Sequence, residues 1–117
     1  MQTPLHQVKA DLFKAMGNPM RIRILEILSG GERSVGDMLT ELGVEPSALS
    51  QQLAVLRNAG LVSSRREVSS VHYSVTSPQV AELLAVARRL LTGVLAGQVG
   101  LLTDLRAEEK ASGKPVR

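Results

Sequence analysis

The chain has 117 residues of which 44% are hydrophobic, enough to bury the core of one domain and too few for two. It contains no cysteine, which excludes disulfides, thiolate metal sites, cysteine nucleophiles and thiol redox switches together. Its formal charge of +3 is a mild basic excess, pointing to nucleic acid only where the positive side chains cluster.

Phe13 and Tyr73 are the aromatic residues, so the core must come from Leu, Val, Ile, Ala and Met. The opening MQTPLHQVKADLF lacks the apolar run of a secretory leader. The charge-free stretch from Leu90 to Thr103 is shorter than the ~20 residues a membrane span needs. A cytoplasmic protein without membrane contact is expected.

Leu5, Val8, Leu12 and Met16 recur at steps of three and four and predict a short amphipathic helix ended by Gly17. Asn18 then serves as cap and Pro19 as first residue of a second helix through Ile22, Leu25 and Leu28, stopped at Gly30-Gly31. Ser34 caps a third helix, Val35 to Leu42, and Gly43 supplies a tight turn. Pro46 opens a fourth, which continues to about Ala59. Its inward stripe is Leu49, Leu53 and Leu56, and Ser47, Ser50, Gln51, Ala54 and Arg57 face outward. The period then drops from about 3.6 to 2, predicting strands at Leu61–Arg66 and Val71–Val75 around a tip at Glu67–Ser70.

Ser77 and Pro78 start a last helix with a stripe from Val80 to Leu105, weakened by Gly93, Gly97 and Gly100. Residues 1–106 form one expected domain, and 107–117 a flexible polar tail. So long an apolar stripe on an end helix of a short chain calls for a partner helix. The expected interface is Leu5, Val8 and Leu12 with Leu83, Leu84, Ala87, Leu90, Leu91 and Val94.

A short helix, a glycine turn and a helix with a hydroxyl- and amide-bearing outer face follow the helix-turn-helix plan. The second helix must enter the major groove, so its outward side chains should be short hydrogen-bonders; Ser47, Ser50, Gln51 and Gln52 are. No acidic residue lies between Pro46 and Arg66, whereas Arg57, Arg65 and Arg66 are basic and suit a phosphate polyanion. The hairpin after the fourth helix fits a wing, and Arg65 and Arg66 would there reach phosphates or the minor groove.

These strings resemble the ArsR/SmtB winged-helix repressors: Asn18-Pro19-Met20-Arg21-Ile22-Arg23-Ile24-Leu25, Ser47-Ala48-Leu49-Ser50-Gln51-Gln52-Leu53, Leu56-Arg57-Asn58-Ala59-Gly60-Leu61-Val62 and His72-Tyr73. The resemblance spans about Leu5 to Leu95 in the family's order and spacing. It implies a mainly α winged helix-turn-helix with a small β-hairpin, ordered α1-α2-α3-α4-β1-β2-α5. It further implies a homodimer through α1 and α5 that binds double-stranded DNA at an imperfect palindrome in an operator–promoter region. Repression relieved by an effector of unspecified chemistry follows from it as well.

The family's base-edge readers fall on Ser47, Ser50 and Gln51. Gln51 stands for a common histidine and Pro46 for a common glutamine, which implies a different base preference. Arg65 and Arg66 match the basic start of the wing. The tip Val68-Ser69-Ser70 departs from the frequent glycine-plus-basic pattern.

The family's metal-binding Cys-x-Cys aligns with Ser34-Val35-Gly36-Asp37. Its other ligand set aligns with Ser77, Gln79, Leu90 and Gly93, so the ligands are missing from both. With His6 and His72 as the histidines, no metal site and no cofactor is expected.

His72 on a hairpin strand reads as packed beside its neighbours before it reads as a phosphate contact. Arg21 and Arg23 suit either an approach to DNA or a solvated face, with Glu26 within reach of Arg23. Arg88-Arg89 reads as the polar side of the last helix. Catalysis would need a nucleophile with a base, paired carboxylates, a phosphate-cradling loop or a metal, and no such set occurs. The competing reading of the whole is a winged-helix module that binds proteins within a larger assembly.

Overall fold

The computed structural model describes residues 3–112 and the side chains of all of them except 109, 111 and 112. Its elements are α1 (Leu5–Met16), α2 (Pro19–Ser29), β1 (Arg33–Ser34), α3 (Val35–Leu42), α4 (Pro46–Asn58), β2 (Val62–Glu67), β3 (Ser70–Val75) and α5 (Pro78–Ser112). Two units are distinguished, Met1–Glu82 and Leu83–Arg117.

Local chemistry sets most of the helix boundaries. The Asn18 side chain accepts from the backbone N–H groups of Met20 and Arg21 at 2.9 and 3.1 Å, with Pro19 as first residue of α2. Ser34 Oγ accepts from the Asp37 N–H at 3.1 Å to start α3, and Ser77 Oγ accepts from the Gln79 N–H at 3.1 Å to start α5. Gly43 ends α3 at φ +63°, a left-handed conformation that a side chain would strain.

The first unit is closed by aliphatic packing. Ile24, Leu25 and Leu28 of α2 meet Met38 and Leu42 of α3 and Leu49, Leu53 and Leu56 of α4, all buried. Ala15 and Met16 of α1 with Leu61, Val62, Tyr73 and Val80 complete the core, whereas Phe13 is exposed. One aromatic ring therefore serves the interior.

The sheet has three antiparallel strands in the order β1-β3-β2, one more than the predicted hairpin. β1 is two residues long, too short for any alternation to show in sequence. It pairs Arg33 with Tyr73 and Ser34 with His72, and β2 pairs Val62 with Val75 through Glu67 with Ser70. Each hairpin strand reaches one residue nearer the tip than expected. The turn is Val68-Ser69, and neither residue takes positive φ, so it is not of the I′ or II′ type.

α5 runs unbroken through Gly93, Gly97 and Gly100 to Ser112, past the predicted end at Leu105. The Ala- and Leu-rich neighbours offset three glycines at about 1 kcal/mol each. Residues 107–112 of the expected tail are thus helical, and 113–117 lie outside the described residues.

Candidate nucleic-acid interface

α3, the turn at Gly43 and α4 make the predicted helix-turn-helix. Buried Leu49, Leu53 and Leu56 fix the roll of α4 against the core. Ser47, Ser50 and Gln51 consequently stand exposed on its outer side, with Arg57 exposed in its last turn.

The exit from α4 is rigidly specified. Gly60 takes φ +77°, the Leu61 N–H donates to the Leu56 carbonyl at 3.0 Å, and the Gly60 N–H donates to the Arg57 carbonyl at 3.0 Å. Thr76 then binds back, its Oγ1 donating to the Gly60 carbonyl at 2.7 Å and its N–H to the Leu61 carbonyl at 3.1 Å. The base of the wing is thereby tied to the end of α4.

Consecutive residues of a strand point to opposite faces, so Arg65 and Arg66 lie on different sides of the hairpin. Arg66 is exposed and has no ion pair among the described residues. Arg65 lies on the other face, directly opposite His72. Its Nε donates to Glu32 Oε2 at 2.9 Å, its Nη2 donates to Glu32 Oε1 at 2.5 Å, and its Nη1 donates to Glu67 Oε1 at 2.5 Å.

The same face carries His72. Its Nε2 lies 2.9 Å from Ser70 Oγ and 3.4 Å from Glu67 Oε2, and its Nδ1 lies 3.8 Å from Glu32 Oε1. The packed reading of His72 holds. Hydrogen bonds from Arg65 hold the Glu32 and Glu67 carboxyls below their ordinary pKa, and the two carboxylates raise that of Arg65. The carboxylates lie on different ring nitrogens of His72 and so do not converge on one point. Among the described residues no three His, Asp or Glu side chains gather as metal ligands.

Two further residues sit differently from the sequence reading. Gln52 is half-buried and accepts from Arg21 Nη1 at 2.8 Å through Oε1. Arg21, read as either a DNA contact or a solvated face, is instead half-buried and also donates to carbonyls at the end of α1. No spacing rule links positions 31 residues apart, so no signal in one sequence announces this bond.

Residues 18–64, from the start of α2 into β2, match the family described as "Bacterial regulatory protein, arsR family". An uncharacterised HTH-type transcriptional regulator of Mycobacterium tuberculosis is 51% identical over 110 residues, spanning 93% of this chain and 96% of that protein. The chain belongs to the arsR family. The crystal structure of the M. tuberculosis regulator matches with a TM-score of 0.78 at 50% identity, covering 84% of this chain and 99% of that one. The transcriptional activator HlyU of Vibrio cholerae is 43% identical over 68% of this chain and 73% of its own length. The homodimeric winged helix-turn-helix DNA-binding domain of a possible ArsR-family regulator from Mycobacterium bovis matches with a TM-score of 0.71 at 33% identity, covering 78% of this chain and 84% of that one.

The protein is thus a winged helix-turn-helix transcriptional regulator. Within this arsR-family chain, each unit leaves apolar surface uncovered. On α1, Leu5 and Val8 are exposed and Leu12 is half-buried. On α5, Leu83 and Leu84 are half-buried, whereas Ala87, Leu90, Leu91 and Val94 are exposed. No helix among the described residues is long and apolar enough to cross a membrane.

Proposed function

We propose that this arsR-family regulator acts as a homodimer that binds a palindromic operator in double-stranded DNA and represses by occupying it. The observation that carries the reading is the uncovered outer side of α4: exposed Ser47, Ser50 and Gln51 on a helix whose roll the core has fixed. Such side chains suit base edges in the major groove. Arg57 and Arg66 suit the phosphates, and Gln52 adds a contact from the flank of α4. Arg65 joins them only by exchanging carboxylate for phosphate.

The exposed leucines and valines of α1 and α5 support pairing of two copies, and the homodimeric M. bovis domain supports it independently. Residues 1–106 carry both DNA binding and dimerisation, in a cytoplasmic protein with no catalytic step. Repression is the direct consequence of placing a dimer on a promoter, since other proteins are excluded from the same stretch of duplex. HlyU is named an activator, so the direction of regulation belongs in the test.

The experiment is recovery of genomic fragments bound by the purified chain, then titration of the enriched duplex across salt and a transcription readout. The expected result is a palindromic site, bound by a dimer in sedimentation, with affinity falling steeply as salt rises while the preference persists. A chain that enriches no sequence, or binds as a monomer, overturns the proposal.

A further inference from the structure

Arg21 makes contacts that neither a DNA ligand nor a solvated surface arginine would make. Its Nε donates to the Ala15 carbonyl at 2.6 Å and its Nη2 to the Lys14 carbonyl at 3.4 Å. Both acceptors lie in the last turn of α1, where the carbonyl dipoles favour a cation, and the Lys14 carbonyl also accepts from the capping Gly17 N–H at 3.2 Å. The remaining nitrogen, Nη1, donates to Gln52 Oε1 at 2.8 Å on α4. One side chain from α2 thus joins the end of α1 to the flank of the recognition helix.

A guanidinium has donors and no acceptor, so only the oxygen end of the Gln52 amide can face it. The amide is therefore held in one of its two orientations, with its oxygen drawn toward α2. Glutamine reads adenine through both ends at once, accepting from N6 and donating to N7. The amide oxygen has two lone pairs, so one remains for a base, and where Arg21 holds the amide decides which base edge it can meet.

Resting on the operator-binding reading above, we infer that Arg21 is a positioning residue for DNA recognition, fixing the orientation of the Gln52 amide and with it the base that Gln52 prefers. The loss of this orientation is expected to change which base is preferred, and not merely how tightly the protein binds.

The test is selection from a random duplex library by the full chain, by Arg21→Lys and by Gln52→Met, each checked for folding by circular dichroism. The wild type should enrich an operator in which one position per half-site is read by Gln52. Arg21→Lys, which keeps a cation near the α1 carbonyls but loses the fork, should shift the base preference there by about fivefold or more, the low end for a bidentate base contact. The other positions should be unchanged.

Gln52→Met leaves the contacts of Arg21 to α1 in place and should flatten that same position. It decides the matter if Arg21→Lys does not fold. A folded Arg21→Lys that reproduces the wild-type preferences at every position overturns the inference, as does Gln52→Met with an unaltered profile. A wild-type chain that enriches nothing overturns the operator-binding reading, and this inference with it.

Discussion

The outer side of α4 and the wing strand β2 both read as DNA-facing in the sequence, yet the fold treats them differently. On α4, Ser47, Ser50 and Gln51 are exposed and uncharged, and no side-chain hydrogen bond among the described residues engages them. On β2, Arg65 is held by two carboxylates, one from the residue before β1 and one from its own strand. The acid-free window from Pro46 to Arg66 stops one residue short of Glu67, and Glu32 arrives from another part of the sequence. A count of charges along the chain therefore overstates the positive charge that the wing presents. What matters to a phosphate is charge left unpaired after folding.

The sharpest way to break this comparison is on α4. Ser50→Ala with Gln51→Ala should lower the preference for operator over random duplex by about 1–3 kcal/mol for each base no longer read, with non-specific affinity nearly unchanged. Competitive binding against a scrambled duplex measures this. Equal weakening on both duplexes would show that these side chains do not read bases.

Arg66→Ala should weaken binding on every duplex alike and make the logarithmic salt slope shallower by about one. Arg65→Ala should do less on both measures, because its charge is already matched. A larger effect from Arg65 than from Arg66 would reverse the assignment of the wing.

Glu32→Gln with Glu67→Gln should tighten DNA binding a few-fold at low salt, by freeing Arg65 and removing two negative charges from the wing. Fluorescence anisotropy at two salt concentrations checks it, since the gain should shrink as salt rises.

The smallest effect concerns pH. Both carboxyls are held below their ordinary value of 4.5 in the folded chain, so their contribution to stability is complete above 4.5. It disappears as the pH falls through the lowered folded values. Thermal melts from pH 7 to pH 3 should show the wild type losing more than the double Gln variant only in the acid part of the range. Because the groups are exposed, the difference should be slight.

Much of the scaffold is legible in the chain itself. Asn18-Pro19, Ser34 and Ser77-Pro78 mark helix starts through bonds to backbone groups two or three residues away, and each bond forms as the sequence suggests. Leu49, Leu53 and Leu56 fix which side of α4 faces out, because one turn of helix relates them. The features that escape such reading share another property. β1 exists only by pairing with β3, Glu32 meets Arg65 across 33 positions, and Arg21 meets Gln52 across 31.

The sequence by itself determined the five helices and the hairpin, their order, the buried faces of α2, α3 and α4 and the family, since these depend on local capping and on periodicities of a few residues. The tertiary structure alone decided which polar side chains remain free. Whether an arginine or a glutamine still has a hydrogen bond to offer depends on its neighbours in space, and the chain brings those neighbours together only by folding.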